Sequence, residues 1–202
     1  VIGAAGVAGA LWASGLLMGL VSLADAVGLL PLDVTDGARL YTVLGYPNSA
    51  GSLAAAAFLV GLAVRARWSA AGRFASALTA AGQWVLLVTV IVTMSRGAWL
   101  VLPVALAVTL WLWPAGQRLA ALADLALGGL AAVAASPFVV RFFGRPLPGA
   151  AALAAGLILA LGAAGVCRRF QGLPARTQGK VVLGGAAAVI GVAALLAVSG
   201  SL

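Results

Sequence analysis

The residues best equipped for chemistry in this sequence are four arginines, Arg39, Arg96, Arg141 and Arg145, each set between long apolar stretches. Arginine keeps its charge and presents a planar fork of donors matched to carboxylate or phosphate. Two or more of them converging at one membrane face would suit the diphosphate of a lipid carrier. The plainer alternative pairs Arg39 with Asp33 or Asp36 and lets the others snorkel to headgroups. Two short segments accompany them. In residues 45–52, Gly-Tyr-Pro-Asn-Ser-Ala-Gly-Ser, the Pro47-Asn48 step predicts a helix entry capped by Asn48 or Ser49. The free N–H groups of such an entry favour an anion, but a plain cap is the simpler account unless Arg39 and Arg96 face the same point. In residues 93–98, Thr-Met-Ser-Arg-Gly-Ala, Ser95 is placed to cap the next helix and Gly97 to ease the turn. Arg96, in so short a connection, is expected to point into the bundle.

Other chemistry is excluded by residues the chain lacks. With no His there is no Ser-His-Asp triad, HExxH zinc site or imidazole base, and the catalytic residue stays unknown. One cysteine, Cys167, rules out an intrachain disulfide and CxxC motifs. No phosphate-binding loop of the GxxxxGK[ST] type occurs. Asp124 is the only acid within an apolar run. It is expected to pair with a cation or reach interfacial water, a proton relay being the alternative. Cys167, beside Arg168 and Arg169, reads as a small residue at a helix end or as an acylation site.

The elements that position these residues follow from composition. Apolar residues make up 64% of 202, and charged ones 8%, against about 25% in a soluble domain. This predicts an all-α integral membrane bundle. Seven runs approach the roughly 20 residues of a span: 3–24, 48–64, 74–94, 97–113, 119–136, 150–166 and 181–198. They are continuous rather than alternating, so helices and not a β-barrel satisfy the backbone. Loops 65–73, 114–118 and 167–180 hold eight basic residues, while 25–47, 95–96 and 137–149 hold four and three of the four acids. The positive-inside rule places the first set in the cytoplasm and the second outside. The net charge of +8 then reflects lipid phosphates rather than nucleic acid.

Within the spans, Gly15-x-x-x-Gly19 and Gly128-Gly129 offer close helix approach, and Pro103 a kink. Trp68, Trp99, Trp111 and Trp113 fall near span ends, as in an interfacial belt. No internal repeat is visible, which weakens a transporter reading. The chain opens and closes in apolar sequence, so residues 1–202 read as a single transmembrane domain, a piece of a larger multi-span protein truncated at both ends.

The stretch Arg39-Leu-Tyr-Thr-Val-Leu-Gly-Tyr-Pro-Asn48, followed by Thr93-Met-Ser-Arg-Gly-Ala-Trp99, resembles the O-antigen ligase and polymerase family. The match covers residues 39–102; beyond them only hydropathy agrees. Tyr46 stands where the family often has Asn, and Ser49 where an aromatic is frequent, whereas the Ser95-Arg96-Gly97-Ala98 turn is intact. The resemblance implies a glycosyltransferase of the bacterial inner membrane. It would move a glycan from an undecaprenyl-diphosphate carrier to an acceptor hydroxyl at the outer face, without metal or cofactor. It assigns diphosphate binding to Arg39 and Arg96; Asn48 and Ser95 join them from the same motifs, and Arg141 and Arg145 from topology. The family places its base, a His, in a later outer loop, so this piece alone would be inactive. Alternatives are another polyprenyl-phosphate glycosyltransferase using Asp25, Asp33 or Asp36, or a non-enzymatic scaffold or transporter.

Overall fold

The computed structural model describes residues 3–36, 39–42, 44–68 and 72–171. Among them run six α-helices: α1 Ala4–Ala26, α2 Pro47–Trp68, α3 Arg73–Val92, α4 Arg96–Leu112, α5 Arg118–Arg141 and α6 Pro146–Gln171. A two-residue antiparallel ribbon, β1 Thr35–Asp36 with β2 Arg39–Leu40, lies between α1 and α2. Five helices are long and apolar enough to cross a membrane. The chain is therefore a multi-pass membrane helical bundle. With 17 residues, α4 is the shorter exception, about 26 Å at 1.5 Å per residue against a hydrocarbon core of about 30 Å. The seventh apolar run, 181–198, lies outside the described residues.

Several boundaries differ from the sequence expectation. α5 continues through Pro137 to Arg141, and α6 begins at Pro146 rather than 150. Pro137 lies in the helix's last turns, where losing one donor matters less than in mid-helix. At the other end α6 runs to Gln171, so Cys167, Arg168 and Arg169 are helical rather than loop residues. Arg65 and Arg67 likewise belong to the last turn of α2. α4 is unbroken across Pro103.

Lipid tails are as apolar as leucine, so packing depends on shape and hydrogen bonds rather than on water exclusion. α3 is the central helix, in contact with α1, α2, α5 and α6. On α1 the buried positions Trp12, Gly15, Gly19, Ser22, Leu23 and Ala26 recur at helical spacing. A side chain at Gly15 would overlap Ala57 of α2, and one at Gly19 would stand 2.8 Å from Thr89 Oγ1 of α3. The Gly15-x-x-x-Gly19 pair thus does pack. Gly128 and Gly129 do not: nothing lies within 4 Å of a Cβ at Gly128, and the nearest atom to one at Gly129 is Leu87 at 4.0 Å. Trp12 and Trp84 sit inside the bundle, while Trp68, Trp99 and Trp111 are exposed. Trp12 meets Trp68 edge to face at 6.1 Å between ring centroids.

Candidate functional site

One end of the bundle collects the C-termini of α1, α3 and α5, the N-termini of α2, α4 and α6, and the β ribbon. All four arginines of interest lie there. Asp25, buried at the end of α1, organises the loop that follows: its two carboxylate oxygens accept from the backbone N–H groups of Leu32 and, at 2.9 Å, Val34. Tyr41 N–H then donates to Val34 O at 2.8 Å, closing the ribbon. Leu40 and Val34 pack with Val88 and Val92 on the last turns of α3. Arg39 therefore stands on a ribbon fixed from both sides, opposite Asp36 in the strand register, and is exposed.

The first turn of α2 is seated on the α3–α4 connection. At Gly51 a side chain would lie 2.7 Å from Ser95 Cβ and 2.9 Å from Thr93 Oγ1. Only glycine lets the two segments approach so closely. Ser95 is fully buried and caps α4, its hydroxyl accepting from Ala98 N–H at 3.3 Å. The cap expected at Asn48 or Ser49 is not formed. α2 starts at Pro47, whose missing N–H suits the first helical position. Asn48 falls inside the first turn, exposed, and its side-chain amide donates to the Tyr46 hydroxyl at 3.2 Å. Arg96 also departs from expectation. Ser95 and Ala98 take the inward positions of the turn, so Arg96 is exposed rather than directed into the bundle.

Arg141 and Arg145 bracket the α5–α6 turn, both exposed. Gly144 N–H donates to Ala26 O at 2.8 Å, tying that turn to the end of α1. The structure thus brings the segments bearing Arg39, Asn48, Ser95, Arg96, Arg141 and Arg145 to one end. Among the described residues, none of the four arginines has a side-chain partner. The three non-glycine residues with positive φ among those described, Asp33 at 56°, Thr42 at 63° and Met94 at 50°, belong to this end too. Thr42 is buried and β-branched, an uncommon occupant of that region. Such residues cost about 1–3 kcal/mol each and persist where packing over-determines them.

The opposite end carries a site that the sequence reading missed in part. Asp124 is paired, as expected, with a cation of that side: Arg65 of α2 grips it through Nε and Nη2, both contacts at 2.5 Å. Arg65 belongs to the last turn of α2 and not to a loop. Its Nη1 also donates to Ser76 O at 3.4 Å. Gln83 and Trp84 of α3 are buried nearby, Gln83 donating to Phe58 O at 2.9 Å. A glutamine in the middle of an apolar run was the signal available for this site. Cys167 is buried in α6, which removes the acylation reading. Of the acids proposed as alternative base or metal ligand, Asp25 is engaged by backbone amides and Asp33 is exposed. The side chain of Asp36 lies outside the description. Among the described residues no group of three or more His, Cys, Asp or Glu is placed to hold a metal.

Comparison with protein-family models, curated proteins and solved structures gives no match.

Proposed function

We propose that this chain is part of a membrane glycosyltransferase of the O-antigen ligase and polymerase type, moving a glycan from an undecaprenyl-diphosphate carrier to an acceptor hydroxyl. The observation that carries the reading is the seat of α2 on the α3–α4 turn. The helix that the first motif enters meets the second motif: Gly51, three residues after Asn48, lies against Thr93 and Ser95. Arg39 and Arg96 are exposed cations at that same end of the bundle. The carrier diphosphate departs as an anion, and fixed guanidinium groups stabilise the charge that develops on it. Asn48 and Ser95 belong to the same segments, and Arg141 and Arg145 add positive charge beside them.

In this reading the protein is a bacterial inner-membrane protein of about seven spans, 181–198 supplying the seventh. Its arginine-site end faces outward. Six described basic residues, Arg65, Arg67, Arg73, Arg118, Arg168 and Arg169, mark the other end, against four at the site end. The acceptor's base comes from outside residues 1–202, since no His is present.

The test is Arg96→Lys beside Arg96→Ala, assayed for glycan transfer in cells carrying the whole gene and normalised to membrane protein level. Lysine keeps the charge but loses the directed fork. Losing one charge-assisted contact to the developing anion costs on the order of 3 kcal/mol, about a hundredfold in rate. Both variants should be impaired to that extent. Wild-type activity in Arg96→Lys would make Arg96 a headgroup anchor, since lysine snorkels as well.

A further inference from the structure

The end of the bundle opposite the four arginines carries positive charge that its own acids do not balance. Arg67, Arg73, Arg118, Arg168 and Arg169 are all exposed there. Asp124, the only acid at that end among the described residues, is held by Arg65. Two of the exposed arginines meet across a helix junction. Arg168, in the last turn of α6, donates through Nη1 to the backbone carbonyl of Arg73, the first residue of α3, at 3.3 Å. The contact sets two like charges close together, and the other donors of both side chains have no partner among the described residues.

Both arginines lie at the ends of helices apolar enough to cross a membrane, Arg73–Val92 and Pro146–Arg169, so the junction stands at the level of lipid headgroups. Phe74, 82% exposed, and the exposed Trp68 are aromatics suited to that level. We propose that the α3–α6 junction binds the phosphate of an anionic phospholipid, Arg73 and Arg168 sharing its oxygens. An arginine fork takes phosphate oxygens through paired charge-assisted bonds, and basic sites between the ends of spans suit acidic headgroups. A zwitterionic lipid also brings an ammonium group, which a cluster without a free acid repels. The bound lipid bridges α3 and α6 and offsets the repulsion between their arginines. None of this depends on the carrier reaction, whose arginines lie at the other end.

The experiment puts photoreactive p-benzoylphenylalanine in place of Phe74 in the full chain. The protein is held in vesicles of equal phosphatidylglycerol and phosphatidylcholine with the same acyl chains, and mass spectrometry identifies the crosslinked lipid. Phosphatidylglycerol should exceed phosphatidylcholine among the adducts by about tenfold, as a charge-assisted contact predicts. Leu119, exposed at the same end, is the reference position, because the guanidinium of neighbouring Arg118 is taken by the carbonyls of Trp111 and Trp113. Capture from position 119 should stay near the vesicle's own ratio. Arg168→Gln should bring the ratio at position 74 down to that value. Arg73→Gln should do the same while keeping the carbonyl that Arg168 holds, so it serves where Arg168→Gln does not fold. Equal capture of the two lipids at position 74 would overturn the proposal, as would an equal preference at 119 or a ratio unmoved by the variants. So would loss of the adduct to excess glycerol phosphate in solution, which would make this a site for a soluble anion.

Discussion

The ion pair between Arg65 and Asp124 is where single residues bear on the end of the bundle opposite the four arginines. Its side chains are 12% and 20% exposed, so neither charge is fully hydrated by bulk solvent. Both forks of the carboxylate are taken by guanidinium nitrogens, the geometry that gives the strongest charge-assisted bonds. Removing one partner strands the other charge, a change that costs about 3–5 kcal/mol for a fully buried pair. Partial exposure lowers that to the order of 2 kcal/mol here. Asp124→Ala should therefore lower the melting temperature of the purified protein markedly. The double variant Arg65→Met with Asp124→Leu should recover much of the loss, because two apolar side chains leave no orphaned charge. A double variant as unstable as the single one would mean that the pair's role is packing rather than charge compensation.

At the scale of elements, the positions of glycines decide which helices touch. Gly51→Val should drive α2 off the Thr93–Ser95 turn, since its Cβ alone would stand 2.7 Å from Ser95. Overpacking of this kind costs about 1–3 kcal/mol. Gly128→Ala, with open space around its Cβ, should be neutral or slightly stabilising through helix propensity. Thermal unfolding in detergent distinguishes the two, and equal losses would contradict the packing described. These contrasts were not legible in the sequence, where Gly15-x-x-x-Gly19 and Gly128-Gly129 look alike. Spacing shows that a helix can approach a neighbour, but not which neighbour stands there. The helices themselves were legible, because apolar runs of span length have few other solutions. Their ends were less so: the prolines Pro137 and Pro146 suggest a loop, yet one lies in the closing turns of α5 and the other opens α6. The β ribbon had no sequence signal of its own, being fixed by Asp25 from nine residues away. Of the candidate site, the gathering of the arginine-bearing segments at one end of the bundle was legible in the alternation of loops. The outward turn of Arg96 was not, since it depends on Ser95 and Ala98 taking the inward positions.

For the whole molecule, the antiparallel course of the helices sorts charge to two ends, and that sorting fixes how the bundle sits in a bilayer. α4, α5 and α6 turn large apolar side chains outward, Leu100, Trp111, Leu112, Phe138 and Ile158 among them, as lipid-facing helices do. At the Arg118 end the guanidinium closes α4 by donating to the carbonyls of Trp113 and Trp111 at 2.9 and 2.6 Å. The α5–α6 turn, at the other end, is bound to α1 through Gly144. Ala115 and Leu147 are exposed markers of these two ends, and α5 lies between them in sequence. With a helix of 24 residues separating the ends, about 36 Å at 1.5 Å per residue, the two markers stand on opposite sides of a hydrocarbon core of about 30 Å. Ala115→Cys and Leu147→Cys, each in a Cys167→Ala background, should therefore label from opposite faces. In intact cells a membrane-impermeant maleimide should reach Cys at 147 and not at 115, given the greater basic charge at the Arg118 end. Permeabilised cells should label both. The reverse pattern would keep the bundle but turn its arginine end toward the cytoplasm, contrary to the proposed outer-face transfer. Labelling of both positions in intact cells would mean that α5 does not cross the membrane, and the arrangement of all six helices would fall with it.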